Sequence, residues 1–256
     1  MRRWMDRREG IKMDIGTIEQ RALNAWPALT TILMDGWVLR LSHGYTKRAN
    51  SLNALNPTAA LDQVLPQAEQ VFRRAGLRAV VRLSPLMPAD ADAMLARRGY
   101  AAADPTTVMT AAIGDATPDS DVTIAAGLTP DWATGFAAAN DVPARHRDTH
   151  DRMLAGLALP TAFATLRRDG QAIAYGLAVA ERGMVGLFDI VTLAQARRQG
   201  AGRRLVRALM AWGRDHGAVQ AYLQVVDANG PARALYAGLG FRPAYGYHYR
   251  LGPEGT

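Results

Sequence analysis

Apolar residues recur along this chain in two alternating rhythms, and their order predicts a mixed α/β protein. Ile15 to Ala25 has the helical spacing of a short helix, and Gly36 to Leu41 reads as a strand ending in the turn Ser42-His43-Gly44. Tyr45 to Leu55 reads as a further extended segment with polar residues interleaved, broken at Asn56-Pro57-Thr58. Leu61, Val64, Leu65, Ala68 and Val71-Phe72 fall on one helical face and predict a helix from Leu61 to Arg74. Gly76 ends it, Leu77 to Leu83 is a strand, and Ala89 to Arg98 a second helix. Gly99-Tyr100 then leads into a β-rich stretch through Ile113. Small polar residues and Pro118 mark residues 116–121 as a linker.

Beyond the linker the pattern predicts a strand at Val122 to Leu128, a helix at Asp131 to Asn140, and a loop and helix over Asp141 to Leu157. Thr161 to Arg167 and Ala172 to Ala180 form a hairpin across Asp169-Gly170, two residues that favour positive φ. Met184 to Leu193 is an apolar strand. A polar loop follows, and then a helix from about Ala201 to His216 with Leu205, Ala208, Leu209 and Trp212 on one face. A strand at Ala218 to Val226, a short helix carrying Tyr236, and Gly238-Leu239-Gly240-Phe241 close the series.

The two halves share this order. Gly76 and Gly99 lie 23 residues apart, as do Gly217 and Gly240, and the sequence of elements repeats at an offset of 141 residues. Residues 13–115 and 122–256 are therefore expected to be two related units, preceded by a basic tail over residues 1–12.

Charge and composition narrow the setting. Of the net charge of +7, the tail contributes +3, and Met13, which opens the more regular segment, is a candidate start. The remaining arginines are spread along the chain rather than clustered, which argues against a nucleic-acid footprint. No apolar stretch follows the tail as in a secretory signal, and no window approaches the ~20 apolar residues of a membrane span. The absence of cysteine excludes disulfides and thiolate metal sites, and no His/Asp/Glu spacing suggests a metal. A cytoplasmic monomer or homodimer is expected.

The chemistry concentrates after Met184 to Leu193. Gly200-Ala201-Gly202 runs straight into a helix whose first N–H groups lack intrahelical acceptors and sit at the positive end of the helix dipole. Arg197, Arg198 and Arg203 add full charges, so strand, loop and helix make an anion-binding arrangement. It is neither a dinucleotide fingerprint, since the third glycine position is Leu205, nor a P-loop, since no Gly-Lys-Ser/Thr follows.

With the segment about 25 residues on, the sequence resembles the GNAT superfamily of acyl-CoA-dependent N-acyltransferases. Arg197-Arg198-Gln199-Gly200-Ala201-Gly202 matches that family's pyrophosphate loop, and Asn229, Tyr236 and Leu239-Gly240-Phe241 match its second motif in order and spacing. The resemblance covers Asp121 to Leu251. It implies two GNAT-like units, each a mixed, mostly antiparallel sheet flanked by helices, and acetyl transfer from acetyl-CoA to a small-molecule or peptide amine by direct attack. In that reading Arg197, Arg198, Gln199, Gly200, Ala201, Gly202 and Arg203 hold the pyrophosphate, while Ile190, Val191 and Thr192 offer peptide groups to the pantetheine arm. Asn229 contacts the arm or caps the following helix, or both. Tyr236 protonates the leaving thiolate or is a packed core tyrosine. Asp189 is the candidate base, with a structurally paired carboxylate as the alternative. One position where relatives place a glutamate corresponds to Gln224, which cannot act as a base, and another to Phe188. His146, His150 and His248 are further candidates. A non-catalytic acyl-CoA-binding protein and an aminoacyl-tRNA-dependent transferase are the competing readings.

At the 141-residue offset Gly200, Gly202, Asn229 and Tyr236 become Ala59, Leu61, Pro88 and Leu95, so the first half has none of these groups. It is expected to bind no coenzyme A but to close the acceptor side of the second half through Tyr45 to Ser51. The second half is expected to bind the cofactor by itself.

Overall fold

The structure, a computed structural model, describes residues 14–114 and 116–254; the basic tail lies outside the described residues. The first half comprises α1 (Ile15–Ala25), β1 (Thr30–Met34), β2 (Trp37–Leu41), β3 (Leu52–Ala54), α2 (Leu61–Arg74), β4 (Val80–Leu83), α3 (Ala91–Arg97) and β5 (Ala101–Ala112). The second comprises β6 (Val122–Ala125), α4 (Pro130–Ala139), α5 (Ala144–Ala155), β7 (Thr161–Arg168), β8 (Gln171–Glu181), β9 (Met184–Thr192), α6 (Ala201–Asp215), β10 (Gln220–Val226), α7 (Gly230–Ala237) and β11 (Arg242–Leu251).

Strands of both halves join one eleven-stranded sheet in the order β1-β2-β3-β4-β11-β5-β10-β9-β8-β7-β6. Its pairs are antiparallel except β3 with β4 and β9 with β10. The last strand of each half is exchanged. β11 lies between β4 and β5 of the first half, and β5 lies between β10 and β11 of the second. The sheet of the second half is therefore completed by a strand of the first. Gly76 and Gly217 take φ of 66° and 81°, and Gly99 and Gly240 take 79° and 90°, so both repeated glycine pairs occupy the left-handed position after a helix.

Alternation along the strands sorts side chains between the two faces. Val80, Val108, Tyr222, Tyr247 and Tyr249 join a buried cluster with Trp26 at the end of α1, Trp132 and Phe136 of α4, and Met153 and Leu154 of α5. This cluster spans both halves. Met109, Ala111, Ala221 and Leu223 join α6 residues Leu205, Val206 and Leu209 in a second cluster. Val81 and Leu83 pack with Leu61, Leu65 and Phe72 of α2 in a third.

Two elements differ from the sequence pattern. Thr30–Met34 forms an edge strand that the pattern did not announce. Tyr45 to Ser51 is not a strand: it folds into a turn with one 3₁₀ step at Lys47–Ala49. The cause is Asn50, a buried side chain whose amide accepts from the N–H groups of Ser42 and Gly44 and donates to the carbonyls of Tyr45 and Thr46.

Candidate active site

The site begins where the sheet comes apart. β9 and β10 pair in register only from Met184/Gln220 to Leu187/Leu223. Beyond that point β9 continues along β8 and β10 along β5, so a wedge opens between residues 188–192 and 224–226. A bulge bends β9 there. The register against β8 slips between Tyr175 and Leu177, and Asp189 takes a φ of 50°. Among the described residues, the β10-facing edge of Phe188 to Thr192 has no ladder partner. That edge includes Ile190, Val191 and Thr192.

At the end of β9 the chain makes a 3₁₀ turn at Ala194–Ala196, passes Arg197, Arg198 and Gln199, and enters α6 through Gly200. Gly200 has a φ of 81° and supplies no side chain to cap the first turn, whose N–H groups therefore stay open. Arg197, Arg198, Gln199 and Gly200 are exposed around that opening, while Ala201 is buried. Arg197 Nε donates to the Thr192 carbonyl at 3.2 Å, and Arg168 donates to Gln199 Oε1 at 2.6 Å. Arg203 reaches across to the Gly238 carbonyl at 2.9 Å, tying the start of α6 to the end of α7. A Cβ on Gly202 would lie 3.1 Å from Leu235 Cδ2 and 3.5 Å from Thr192 Oγ1. The missing side chain thus lets Leu235 of α7 and Thr192 of β9 come close to the first turn of α6.

Asn229 is the N-cap of α7, its Oδ1 accepting from Ala232 N at 3.1 Å. Tyr236 is buried with only 8% of its surface exposed and packs edge-on to Phe241. Burial pushes its phenol up to about 12. Its hydroxyl makes no hydrogen bond among the described residues, so the proton is uncommitted.

On the other face of the wedge, Asp189 Oδ2 meets His150 Nε2 at 3.1 Å, and His150 Nδ1 meets Asp151 Oδ1 at 3.0 Å. His150 on α5 is fully buried, Asp189 is 12% exposed and Asp151 41%. Burial alone would lower the His150 pKa, but the two carboxylates outweigh it and raise it. Tyr45 stands edge-on to His150 at 5.5 Å, its phenol pushed up by burial and then by the charge of Asp189.

Residues of the first half complete the surroundings. Trp26 stacks on Phe188 at 6.0 Å between centroids, and the Arg48 guanidinium lies 5.0 Å from the Trp26 centroid and 5.6 Å from that of Phe188. A cleft of about 240 Å³ is lined by Thr46, Lys47, Arg48, Gln224, Tyr247 and Tyr249 among others. Gln224 and Val226 belong to the part of β10 that has parted from β9. Tyr247 donates to Gln224 Oε1 at 2.8 Å.

Comparison with known proteins assigns the architecture. The family described as "Probable histone acetyltransferase Rv0428c C-terminal" matches residues 13–250. The chain is 31% identical over 245 residues to "Uncharacterized N-acetyltransferase YobR" of Bacillus subtilis, covering 93% of this chain and 98% of the relative. The chain belongs to the GNAT N-acetyltransferases. It is also 27% identical over 242 residues to "Probable histone acetyltransferase Rv0428c" of Mycobacterium tuberculosis, covering 89% of this chain and 70% of that protein. In fold, this GNAT protein is similar to the GCN5-related N-acetyltransferase from Kribbella flavida, with a TM-score of 0.67, 17% identity, and coverage of 94% and 96%. It is similar also to a tandem GNAT protein from the clavulanic acid biosynthesis pathway, with a TM-score of 0.60, 11% identity, and coverage of 93% and 88%.

Within this GNAT protein the sequence-predicted residues divide into two groups. Ile190 to Thr192 lie on the free edge of β9, Arg197 to Arg203 run from the loop into α6, and Asn229 and Tyr236 are the N-cap and a residue of α7, whose end Arg203 ties to the start of α6. Asp189 points instead to α5, where it meets one of the spare histidines, His150; His146 packs against Tyr45 at 5.6 Å. His248 is removed from them, paired to Asp92 on α3 at 3.0 Å. Trp26 and Asp151 were not singled out by sequence. The signal for a coupled pair was available in part: His150 shares the apolar face of α5 with Met153 and Leu154, and a buried imidazole requires partners.

Proposed function

We propose that this N-acetyltransferase moves an acetyl group from acetyl-CoA to a primary amine by direct attack, with donor and acceptor bound together. The observation that carries the reading is the wedge between β9 and β10, which leads to the uncapped, glycine-entered start of α6. A free strand edge suits the two amides of a pantetheine arm. An open helix start flanked by Arg197 and Arg198 suits a pyrophosphate. The residues present fit coenzyme A, because the free edge of β9 and the open first turn of α6 offer unpaired peptide groups, and Arg197 and Arg198 stand exposed beside them. Ile190, Val191 and Thr192 would hold the arm; Arg197 to Arg203 would hold the pyrophosphate; the uncapped amide of Asn229 would add a contact while its oxygen caps α7.

Acetyl-CoA supplies an activated acyl thioester. Tyr236, held protonated by burial, would give its proton to the departing sulfur. Asp189 would take the proton that the amine loses as nitrogen bonds to the acyl carbon, with His150, itself held by Asp151, fixing the position of the carboxylate. The first half, which lacks the loop and tyrosine, would bind no coenzyme A and would wall the acceptor side through Trp26, Tyr45 and Arg48. A thiol-release assay with acetyl-CoA and a panel of primary amines tests the reading. Amine-dependent release is expected, and its absence across the panel, with acetyl-CoA bound by calorimetry, would defeat the transferase assignment.

A further inference from the structure

We infer that the acceptor is a small primary amine that also carries an anionic group, a carboxylate or a phosphate, recognised by Arg48. The inference rests on the transferase reading above and names the class of its acceptor.

Arg48 sits on a turn that cannot easily shift. Its carbonyl accepts from the buried Arg40 at 3.0 Å, and Arg40 also donates to the carbonyls of Leu23 and Trp26, fixing the turn and the end of α1 together. Asn50 locks the same turn from the other side through its bonds to four backbone groups. The guanidinium is thereby placed over Trp26 and over Phe188, the first residue of β9 beyond its pairing with β10, at the mouth of the wedge.

Its neighbours are matched and it is not. Lys47 pairs with Asp104 at 2.6 Å, Arg82 pairs with Glu19, and Arg40 is held by three carbonyls. Among the described residues, the guanidinium of Arg48 has no hydrogen-bond acceptor and no carboxylate partner. Aromatic faces attract the charge but leave its five in-plane N–H donors unused. That planar fork fits the paired oxygens of a carboxylate or phosphate. The cleft it lines, about 240 Å³, is smaller than the roughly 300–1,000 Å³ of drug-sized sites, which suits a small molecule. A lysine in a basic peptide would instead bring further cations against Arg48.

The test uses the full chain saturated with coenzyme A and reads binding by calorimetry, so that no turnover is needed. Matched probes are β-alanine against propylamine and O-phosphoethanolamine against ethanolamine, with a Lys/Arg-rich peptide as a further arm. In the wild type at least one anionic member is expected to bind tenfold or more tightly than its neutral partner. In Arg48→Gln, which keeps much of the stem over the rings, that margin should fall to threefold or less with coenzyme A affinity unchanged; Arg48→Lys should retain an intermediate margin. The pair that shows the margin identifies carboxylate or phosphate. Equal affinities within both pairs, no binding of either anionic probe, a margin surviving in Arg48→Gln, or tighter binding of the basic peptide would each overturn the inference. Failure of coenzyme A itself to bind would instead defeat the cofactor reading, and the acceptor inference would fall with it.

Discussion

Replacing Gly202 by valine separates the space needed by the cofactor from the stability of the fold. A β-carbon at this position meets only Leu235 Cδ2 at 3.1 Å and Thr192 Oγ1 at 3.5 Å. The leucine is the end of a flexible side chain and can give by a few tenths of an ångström. The helix loses little, because glycine is itself a poor helix former and valine is better by a few tenths of a kcal/mol. The two γ-carbons, however, add bulk next to Thr192 and the first turn of α6, where the pyrophosphate is proposed to meet the backbone. A hydrogen bond to a charged group contributes about 1.5–3 kcal/mol, so losing two between backbone and phosphate removes about 3–6 kcal/mol. That corresponds to a dissociation constant raised about 10²-fold or more. Calorimetry with acetyl-CoA measures the affinity, and circular dichroism with a melting curve measures the fold. A dissociation constant within threefold of wild type, in a variant with unaltered melting, would remove this loop from the cofactor site.

Tyr236→Phe should lower kcat by about 10²–10⁴-fold with little change in the KM for acetyl-CoA, and a loss below threefold with chemistry rate-limiting would make the tyrosine a packing residue. His150 has a raised folded-state pKa, so its protonated form stabilises the fold below about pH 6.5 and this contribution is lost as pH rises through the folded value. Urea midpoints at pH 5.5 and 8.5 should therefore differ by less in His150→Gln than in wild type; equal differences would refute the coupling. Tyr45, Tyr100, Tyr222, Tyr236, Tyr245 and Tyr249 all have phenols raised by burial. Above about pH 10 the unfolded chain gives up these protons while the native one keeps them, so stability should fall steeply between about pH 10 and 12, and a flat urea midpoint would contradict it. Glu19→Ala leaves Arg82 buried without its carboxylate and should cost about 3–5 kcal/mol, a melting point lower by about 6–20 °C in a chain of this size; a shift below 2 °C would show that Tyr247 alone holds the cation.

What was legible in the sequence was local. The entry of α6 through Gly200, the N-cap at Asn229 and the apolar faces of α2 and α6 each depend on a few neighbouring residues, and their positions follow from spacing. The contact of Asp189 with His150 joins β9 to α5 across 39 positions, and no local rhythm records which helix covers which strand. Tyr45 to Ser51 carries an extended pattern, yet one asparagine amide satisfies four backbone groups and prevails over it. The edge strand Thr30–Met34 was hidden for the opposite reason: with Leu33 exposed it lacks the alternation that marks a half-buried strand.

The exchange of β5 and β11 has a consequence for biogenesis. During synthesis β4 and β5 leave the ribosome more than a hundred residues ahead of the strand that belongs between them. Their facing edges stay open, ready to capture any extended segment, until residues 242–251 emerge. Completion of the sheet is then a post-translational event that depends on the far end of the chain, a high-contact-order closure that is intrinsically slow. Evolution can vary the two units separately but cannot discard either, because each holds the keystone strand of the other. A nonsense codon shortly before Arg242 would leave the first unit incomplete as well as the second.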